Sequence, residues 1–314
     1  MRPFKVVVTD PLSSDVDVER AIIAAVGGTV EVPGGSRAEI LAAARDAEGI
    51  LTTYFPLDRD AIEGLERCEI IARYGIGVDS VDLLAARQAG IAVTNVPDYC
   101  VDEVATHAMA YILAMLRRLK RADELVLDGQ WGVGAIGPVH RLSALAVGLV
   151  GYGKIARRLG ELLAPFGCAI LVADPYVTSV SGGEELVSLS ELFERSDIVS
   201  LHCPLTDETR GLIDRSTLAQ MRDGAFLVNV SRGPVVVLED LISALESGKL
   251  GGAALDTFDP EPPPFERLAG VPGLMTSPHS AYLSVEAVQE SRAKAASQIV
   301  KAIATRETLD YLVN

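Results

Sequence analysis

The stretch LAVGLVGYGKIARRLGELLAPFGCAILVADP, Leu145 to Pro175, decides how this chain is read. Leu145 to Val150 is an uncharged apolar run leading into a glycine turn, as a buried strand does, and Lys154 to Ala164 is amphipathic at helical spacing. Gly151, Gly153 and Ala156 hold the three small-residue positions of a dinucleotide-binding turn, where a diphosphate needs close backbone approach and free N–H groups at a helix N-terminus. A second apolar run, Ala169 to Ala173, ends at Asp174, about 20 residues on, where this motif carries an acid for the ribose hydroxyls. The expected cofactor is therefore NAD rather than NADP. A bare glycine triplet also fits a βαβ unit whose glycines only permit packing; strand, helix and acid in the right order favour the binding reading.

Working outward, 314 residues suggest two domains of ordinary size. Hydrophobic residues at 49% and charged residues at 23% make a globular composition. No apolar run approaches the roughly 20 residues that span a bilayer. The N-terminal MRPFKVVVTD enters a strand-like run directly, without a signal-peptide pattern, so a cytoplasmic protein is expected. Cys68, Cys100, Cys168 and Cys203 lie far apart with no metal-ligand spacing, so reduced thiols and no metal are expected. A net charge of -15 argues against nucleic acid or an anionic membrane as partner. An anionic cofactor and substrate must then be held by helix N-termini, backbone N–H groups and a few placed arginines.

The first hundred residues alternate strand-like runs (Phe4 to Val8, Thr29 to Val32, Gly49 to Thr53, Glu69 to Ala72, Ile91 to Val93) with helical stretches (Val18 to Val26, Ala38 to Ala47, Val81 to Ala89). This predicts a parallel sheet wrapped by helices, without a glycine turn of the nucleotide type. Two strand-end loops there are candidates for substrate contact. In Arg73-Tyr74-Gly75-Ile76-Gly77-Val78-Asp79 the glycines allow N–H groups to converge on an anion as a nest, and Arg73 either adds a charge or is half of a local ion pair. In Thr52-Thr53-Tyr54-Phe55-Pro56, Tyr54 reads more readily as a packing residue than as a ligand contact.

Asp102 is a candidate N-cap for a long helix running to about Lys120, with Val104, Ala108, Tyr111, Ile112, Met115 and Leu119 on one face. So apolar a helix is expected to cross between domains and pack against a second subunit, making a homodimer through 102–120 and the loop around Trp131. His107 within it reads as a core or interface histidine. Beyond Asp174, the runs Asp197 to Leu201, Ala225 to Asn229 and Gly251 to Leu255 each end in a polar loop: His202 to Thr206, Val230 to Pro234 and Asp256 to Pro262. Ligands of an open α/β sheet sit beyond the carboxyl ends of its strands, so these loops and Ser277 to Tyr282 should face one crevice. A last helix, from about Ser284 to Ala304, should return to the first domain. The fold class expected is α/β, two doubly wound parallel-sheet domains with an interdomain cleft, residues 1–100 plus 281–314 for substrate and 101–280 for NAD.

Through ARYGIGVDSVD, TNVPDYCVDEVATHAMAYIL, GLVGYGKIA, DIVSLHCPLTDETRGLI, LVNVSRGPVVVLEDL, AALDTFDPEPP and SPHSAY, the chain resembles the D-isomer-specific 2-hydroxyacid dehydrogenases over nearly its whole length. PVHRLSALAVGLVGYG and HSAYLSVEAVQE are most similar to the C-terminal-binding-protein branch, whose animal members also serve as NAD(H)-sensing corepressors. The resemblance implies catalytic residues Arg232, Glu261 and His279. His279 would trade a proton with the substrate C2 oxygen, Glu261 would orient it and favour its protonated form, and Arg232 would fork onto the carboxylate and polarise the carbonyl. It further implies Gly151, Tyr152, Gly153, Lys154, Ile155, Asp174, His202, Cys203, Pro204, Thr209, Val230, Ser231, Asp256, His279 and Ala281 around NAD, with Asp256 on the nicotinamide amide. Tyr54, Arg73, Gly75, Ile76, Gly77, Arg232 and Tyr282 would surround a small 2-keto or 2-hydroxy acid.

Ala156 in place of the third glycine is a permitted variant, Asp79-Ser80-Val81-Asp82 departs from a common Asp-Asn-Ile-Asp, and Tyr282-Leu283 stands where corepressor relatives carry Trp-Tyr. No third, regulatory domain is evident, which weighs against a phosphoglycerate dehydrogenase. The implied activity is NADH-linked reduction of 2-keto acids; the alternative is a non-enzymatic NAD(H)-gated scaffold.

Overall fold

The computed structural model describes residues 2–314. The chain forms two compact units, Met1–Tyr99 with Leu283–Asn314, and Cys100–Tyr282.

In chain order the first unit has β1 (Phe4–Val8), α1 (Asp17–Ala24), β2 (Gly28–Glu31), α2 (Arg37–Ala44), β3 (Gly49–Thr52), α3 (Arg59–Glu63), β4 (Ile70–Arg73), α4 (Leu83–Gln88) and β5 (Ala92–Thr94). The strands pair in parallel in the order β2-β1-β3-β4-β5. Val6, Val7, Val8, Ile50, Leu51, Ile70 and Ile71 are fully buried, because a parallel sheet is covered on both faces and its strands must be apolar on both. Each such side chain contributes about 1.5–3 kcal/mol of hydrophobic stabilisation. Ser36 closes a capping box on α2, and Asp58 and Asp82 cap α3 and α4. The five residues of α3 are too few to show an apolar period, so the helix is not legible in the sequence.

The second unit comprises α5 (Val101–Leu116), α6 (Leu119–Leu127), β6 (Ala146–Val150), α7 (Lys154–Leu163), β7 (Ala169–Ala173), β8 (Glu185–Leu186), α8 (Leu189–Arg195), β9 (Ile198–Leu201), α9 (Arg215–Gln220), β10 (Ala225–Asn229), α10 (Leu238–Glu246), β11 (Leu250–Leu255), α11 (Phe265–Leu268) and β12 (Leu274–Thr276). Its parallel sheet runs β12-β11-β10-β9-β6-β7-β8. The chain moves outward from β6 through β7 to β8, then restarts on the other side of β6 with β9. That reversal is a topological switch point, and it opens at the carboxyl ends of β6 and β9. The last helix, α12 (Val285–Val300), belongs to the first unit, where it packs on α1, β3 and β4.

Two expectations are corrected around residues 100–127. Asp102 is not the N-cap; α5 starts at Val101, after Cys100, and Asp102 lies in its first turn, favourable to the helix dipole and 2.5 Å from Arg158 Nε. The expected long helix ends at Leu116, because Arg118 turns left-handed (φ 51°) while its Nε donates to Pro138 O at 3.1 Å, and α6 starts afresh. The apolar stripe of α5, Val104, Ala108, Tyr111, Ile112 and Met115, is buried within its own unit, and α5 packs on α7. The exposed apolar side chains lie instead on α6 and beyond it: Leu119, Val126, Leu127, Trp131 and Val133.

Candidate active site

The candidate site is built in the second unit from the loops that follow β6, β7, β9, β10, β11 and β12. After β6, Gly151 takes φ +83°, and a Cβ there would sit 2.8 Å from the Cys203 backbone nitrogen after β9. Only glycine lets the two loops meet at the switch point. Gly153, the N-cap of α7, meets nothing within 4 Å where a side chain would project, and no side chain caps the helix. An open approach to an uncapped N-terminus suits a diphosphate, with Lys154 and Ile155 in the first turn. Asp174, ending β7, accepts from Tyr152 N at 2.7 Å through Oδ2 and from Tyr176 N at 2.8 Å through Oδ1, so it shapes the glycine turn while keeping lone pairs for ribose hydroxyls. These features fit NAD.

The loop after β9 is held from within. His202 Nε2 lies 2.9 Å from Ser200 Oγ, and burial pushes the imidazole down to about 4, so the ring is neutral in ordinary buffers. Burial pushes the Cys203 thiol up to about 11, its own backbone hydrogen bond opposing and Asp174 adding, so it is not a nucleophile at neutral pH. Thr209 Oγ1 donates to Pro204 O at 2.6 Å and accepts from Thr206 N at 2.8 Å, closing the turn.

After β10, buried Asn229 accepts from Ser231 N and Oγ and donates to Arg232 O at 2.9 Å, fixing the backbone on both sides of Val230 and Arg232. A Cβ on Gly233 would fall 2.0 Å from the Phe258 carbonyl, so the β10 and β11 loops touch backbone to backbone. That brings the Arg232 charge within reach of Glu261. Glu261 accepts from Phe258 N at 2.9 Å through Oε1 and from His279 Nδ1 at 2.8 Å through Oε2. Burial alone would raise the Glu261 carboxyl; the bonds from His279 and Phe258 and the charges of His279 and Arg232 outweigh it and leave it below the usual range. His279 follows β12 in a left-handed conformation (φ 51°), its ring edge-on to Tyr282 at 6.3 Å between centroids.

Asp256, almost fully buried, accepts from Ser280 N at 2.8 Å and Ala281 N at 3.0 Å and takes a short bond from Ser277 Oγ, while its carbonyl accepts from His279 N at 2.8 Å. It therefore holds the histidine loop. Ser277 and Asn229 escape a sequence reading because their work is done on backbone atoms that spacing does not reveal.

The other candidate residues lie in the first unit. Arg73 stacks over the Tyr54 ring at 5.7 Å and donates to Thr53 O at 3.1 Å. Gly75 and Gly77 do not adopt left-handed backbone, so the loop is not a glycine nest; Gly75 instead leaves room for the Arg73 guanidinium, which a Cβ would meet at 1.9 Å. Val96 N and Asn95 Nδ2 bind the carbonyls of Gly75 and Ile76. Asp10 organises the Tyr54 loop by accepting from Thr53 N and Phe55 N at 2.9 and 3.0 Å, which the sequence did not signal.

The model of the D-isomer specific 2-hydroxyacid dehydrogenase, NAD binding domain, matches residues 109–281. The chain belongs to this family. Its members are NAD-dependent oxidoreductases acting on 2-hydroxy acids. The chain is 36% identical over 290 residues to the glyoxylate reductase of Thermofilum pendens, covering 89% of this chain and 85% of that one. It is 33% identical over 315 residues to the D-3-phosphoglycerate dehydrogenase of Methanocaldococcus jannaschii, covering 99% of this chain but 59% of that protein's length. The D-lactate dehydrogenase from Aquifex aeolicus, solved with NAD and lactic acid, superposes with a TM-score of 0.88 at 26% identity, covering 98% of both chains. Among the described residues no helix is long and apolar enough to cross a membrane.

Proposed function

We propose that this protein reduces a small 2-keto acid with NADH, and oxidises the matching D-2-hydroxy acid in reverse, with His279 as acid/base. The observation that carries this reading is the 2.8 Å bond between His279 Nδ1 and Glu261 Oε2, made by two loops at adjacent strand ends. NADH, when bound, supplies the hydride equivalent to C2. Glu261 is a carboxylate, so it accepts Nδ1–H and leaves Nε2 to carry the transferable proton. In reduction, imidazolium Nε2–H gives its proton to the C2 oxygen; in oxidation, the neutral ring takes it back through the Nε2 lone pair. Arg232 is assigned to the carbonyl and carboxylate, its fork suited to planar oxygens. The loop Gly75 to Gly77, with Arg73, Tyr54 and Tyr282, is assigned to the rest of the acid.

A scaffold gated by NAD(H) would have no physical need of the His279–Glu261 pair. Exposed Leu119, Val126, Leu127, Trp131 and Val133 are assigned to a homodimer interface, and the cytoplasm is the compartment this reading implies. The test is NADH oxidation with glyoxylate, hydroxypyruvate, pyruvate and bulkier 2-keto acids. Turnover is expected with at least one and a loss of about 10²–10⁴ in kcat for His279→Ala with NADH still bound; no turnover on any keto acid refutes the reading.

A further inference from the structure

Behind the histidine loop lies a polar cluster that the reaction does not use directly. Ser277 Oγ is its hub. Tyr111 OH lies 2.5 Å from it, His107 Nε2 lies 3.0 Å from it, and the hydroxyl donates to Asp256 Oδ1. His107 and Tyr111 project from α5, packed edge to face with ring centroids 4.7 Å apart and planes at 90°.

A serine hydroxyl has one proton and two lone pairs. Its proton goes to Asp256, because a carboxylate can only accept. Both lone pairs must then receive donors, and two stand in place, the Tyr111 O–H and the His107 ring. With Tyr111 O–H on its nearer acceptor, Ser277 Oγ, rather than on Leu255 O at 3.3 Å, and His107 as the Nε2–H tautomer, the hub is filled. Asp256 is left with three donors, Ser277 O–H, Ser280 N and Ala281 N, with His107 Nε2 4.0 Å from Oδ1. The Asp256 carbonyl takes His279 N, while its carboxylate takes the two backbone N–H groups that follow His279. His279 is thus bracketed on both sides by one residue while sitting at φ 51°, a conformation that non-glycine residues hold only when surroundings impose it.

We propose that His107 and Tyr111 are positioning residues for the catalytic loop, acting through Ser277 and Asp256 to hold His279 at the angle from which Nε2 meets the C2 oxygen. Helix α5 thereby sets the geometry of proton transfer from behind the loop. The proposal deepens the function assigned above and rests on His279 being the acid/base. If the hub loosens, the loop retains its fold but His279 samples more angles, so the loss falls on kcat; misplacement of a reacting group by about 1 Å can cost as much as 10²-fold.

The test uses the full chain with NADH and the best keto acid from the screen. It compares His279→Ala, Ser277→Ala, His107→Leu, Tyr111→Phe and His107→Gln, the last keeping a donor near the Nε2 position. The expected result is a fall in kcat of about 10-fold for Ser277→Ala and His107→Leu, smaller for Tyr111→Phe, with most of the loss restored in His107→Gln. NADH affinity by fluorescence titration and the melting temperature should stay close to wild type. If His279→Ala abolishes turnover but Ser277→Ala and His107→Leu stay within twofold of wild type, the positioning role is overturned while the catalytic assignment stands. If kcat, NADH affinity and melting temperature fall together, and His107→Gln restores none of them, the cluster is only structural and the proposal is overturned. If His279→Ala leaves turnover unchanged, the catalytic assignment fails, and this proposal with it.

Discussion

The neutral imidazole of His202 predicts a specific acid sensitivity. In the folded chain burial holds it down to about 4, whereas an exposed histidine titrates near 6.5. Between those values the unfolded chain binds a proton that the folded chain refuses, so stability is fully present above about pH 6.5 and is lost as pH falls towards 4. The whole gap is worth at most about 3 kcal/mol, of which about 2 kcal/mol is gone by pH 5. His202 keeps some solvent contact, which trims this to about 1–2 kcal/mol. The perturbation is His202→Gln, which retains a polar partner for Ser200 and cannot titrate. Urea unfolding followed by circular dichroism at pH 8, 7, 6 and 5 should show wild type losing about 1–2 kcal/mol more than the variant across that range. Other groups titrate equally in both proteins and cancel. A difference between the two that is constant from pH 8 to 5 would falsify the account of His202 as a buried neutral ring. A ring that stays neutral cannot supply the proton transferred in the proposed reduction.

Glu261 is held below the usual carboxyl range and accepts from His279 Nδ1 at 2.8 Å, so Glu261→Gln should lower kcat by about 10-fold or more at pH 7; a variant within twofold of wild type would contradict the pairing. Arg292 on α12 forks onto buried Glu19 at 2.9 and 2.7 Å and reaches Asp15 at 2.8 Å, so Arg292→Met should cost about 3–5 kcal/mol by stranding a buried carboxylate. The double variant Arg292→Met, Glu19→Leu should recover most of that in urea melts, and no recovery would show that the charge was not the problem. The homodimer proposed through exposed Trp131 and Leu127 predicts a dimer mass for wild type and a monomer mass for Trp131→Ala with Leu127→Ser in light scattering after gel filtration; the same mass for both would refute it.

Legibility in the sequence followed the physics of each feature. β1, β7 and β10 are readable to the residue because buried parallel strands are apolar runs between polar loops, and Asp174 is readable because it ends one of them. The break at Arg118 is not, since arginine carries no preference for left-handed backbone; only its bond to Pro138, 20 residues away in sequence, shows why the chain turns there. At Gly75 glycine could advertise either unusual φ or close approach, which the sequence does not distinguish; the structure shows close approach, to the Arg73 guanidinium.

The same distinction explains why the proposed catalytic residues are easier to read than what holds them. Arg232, Glu261 and His279 come to notice through the family resemblance, but their placement depends on Asn229, Gly233, Asp256 and Ser277, which act on backbone atoms. Gly233 is the plainest case. Its missing side chain lets the loop bearing Arg232 lie against the Phe258 carbonyl, so the loops after β10 and β11 pack backbone to backbone. Gly233→Ala should therefore push the two loops apart and lower kcat by about 10-fold or more in the NADH assay, although the residue offers no chemistry of its own; unchanged turnover would show that the close approach is not needed.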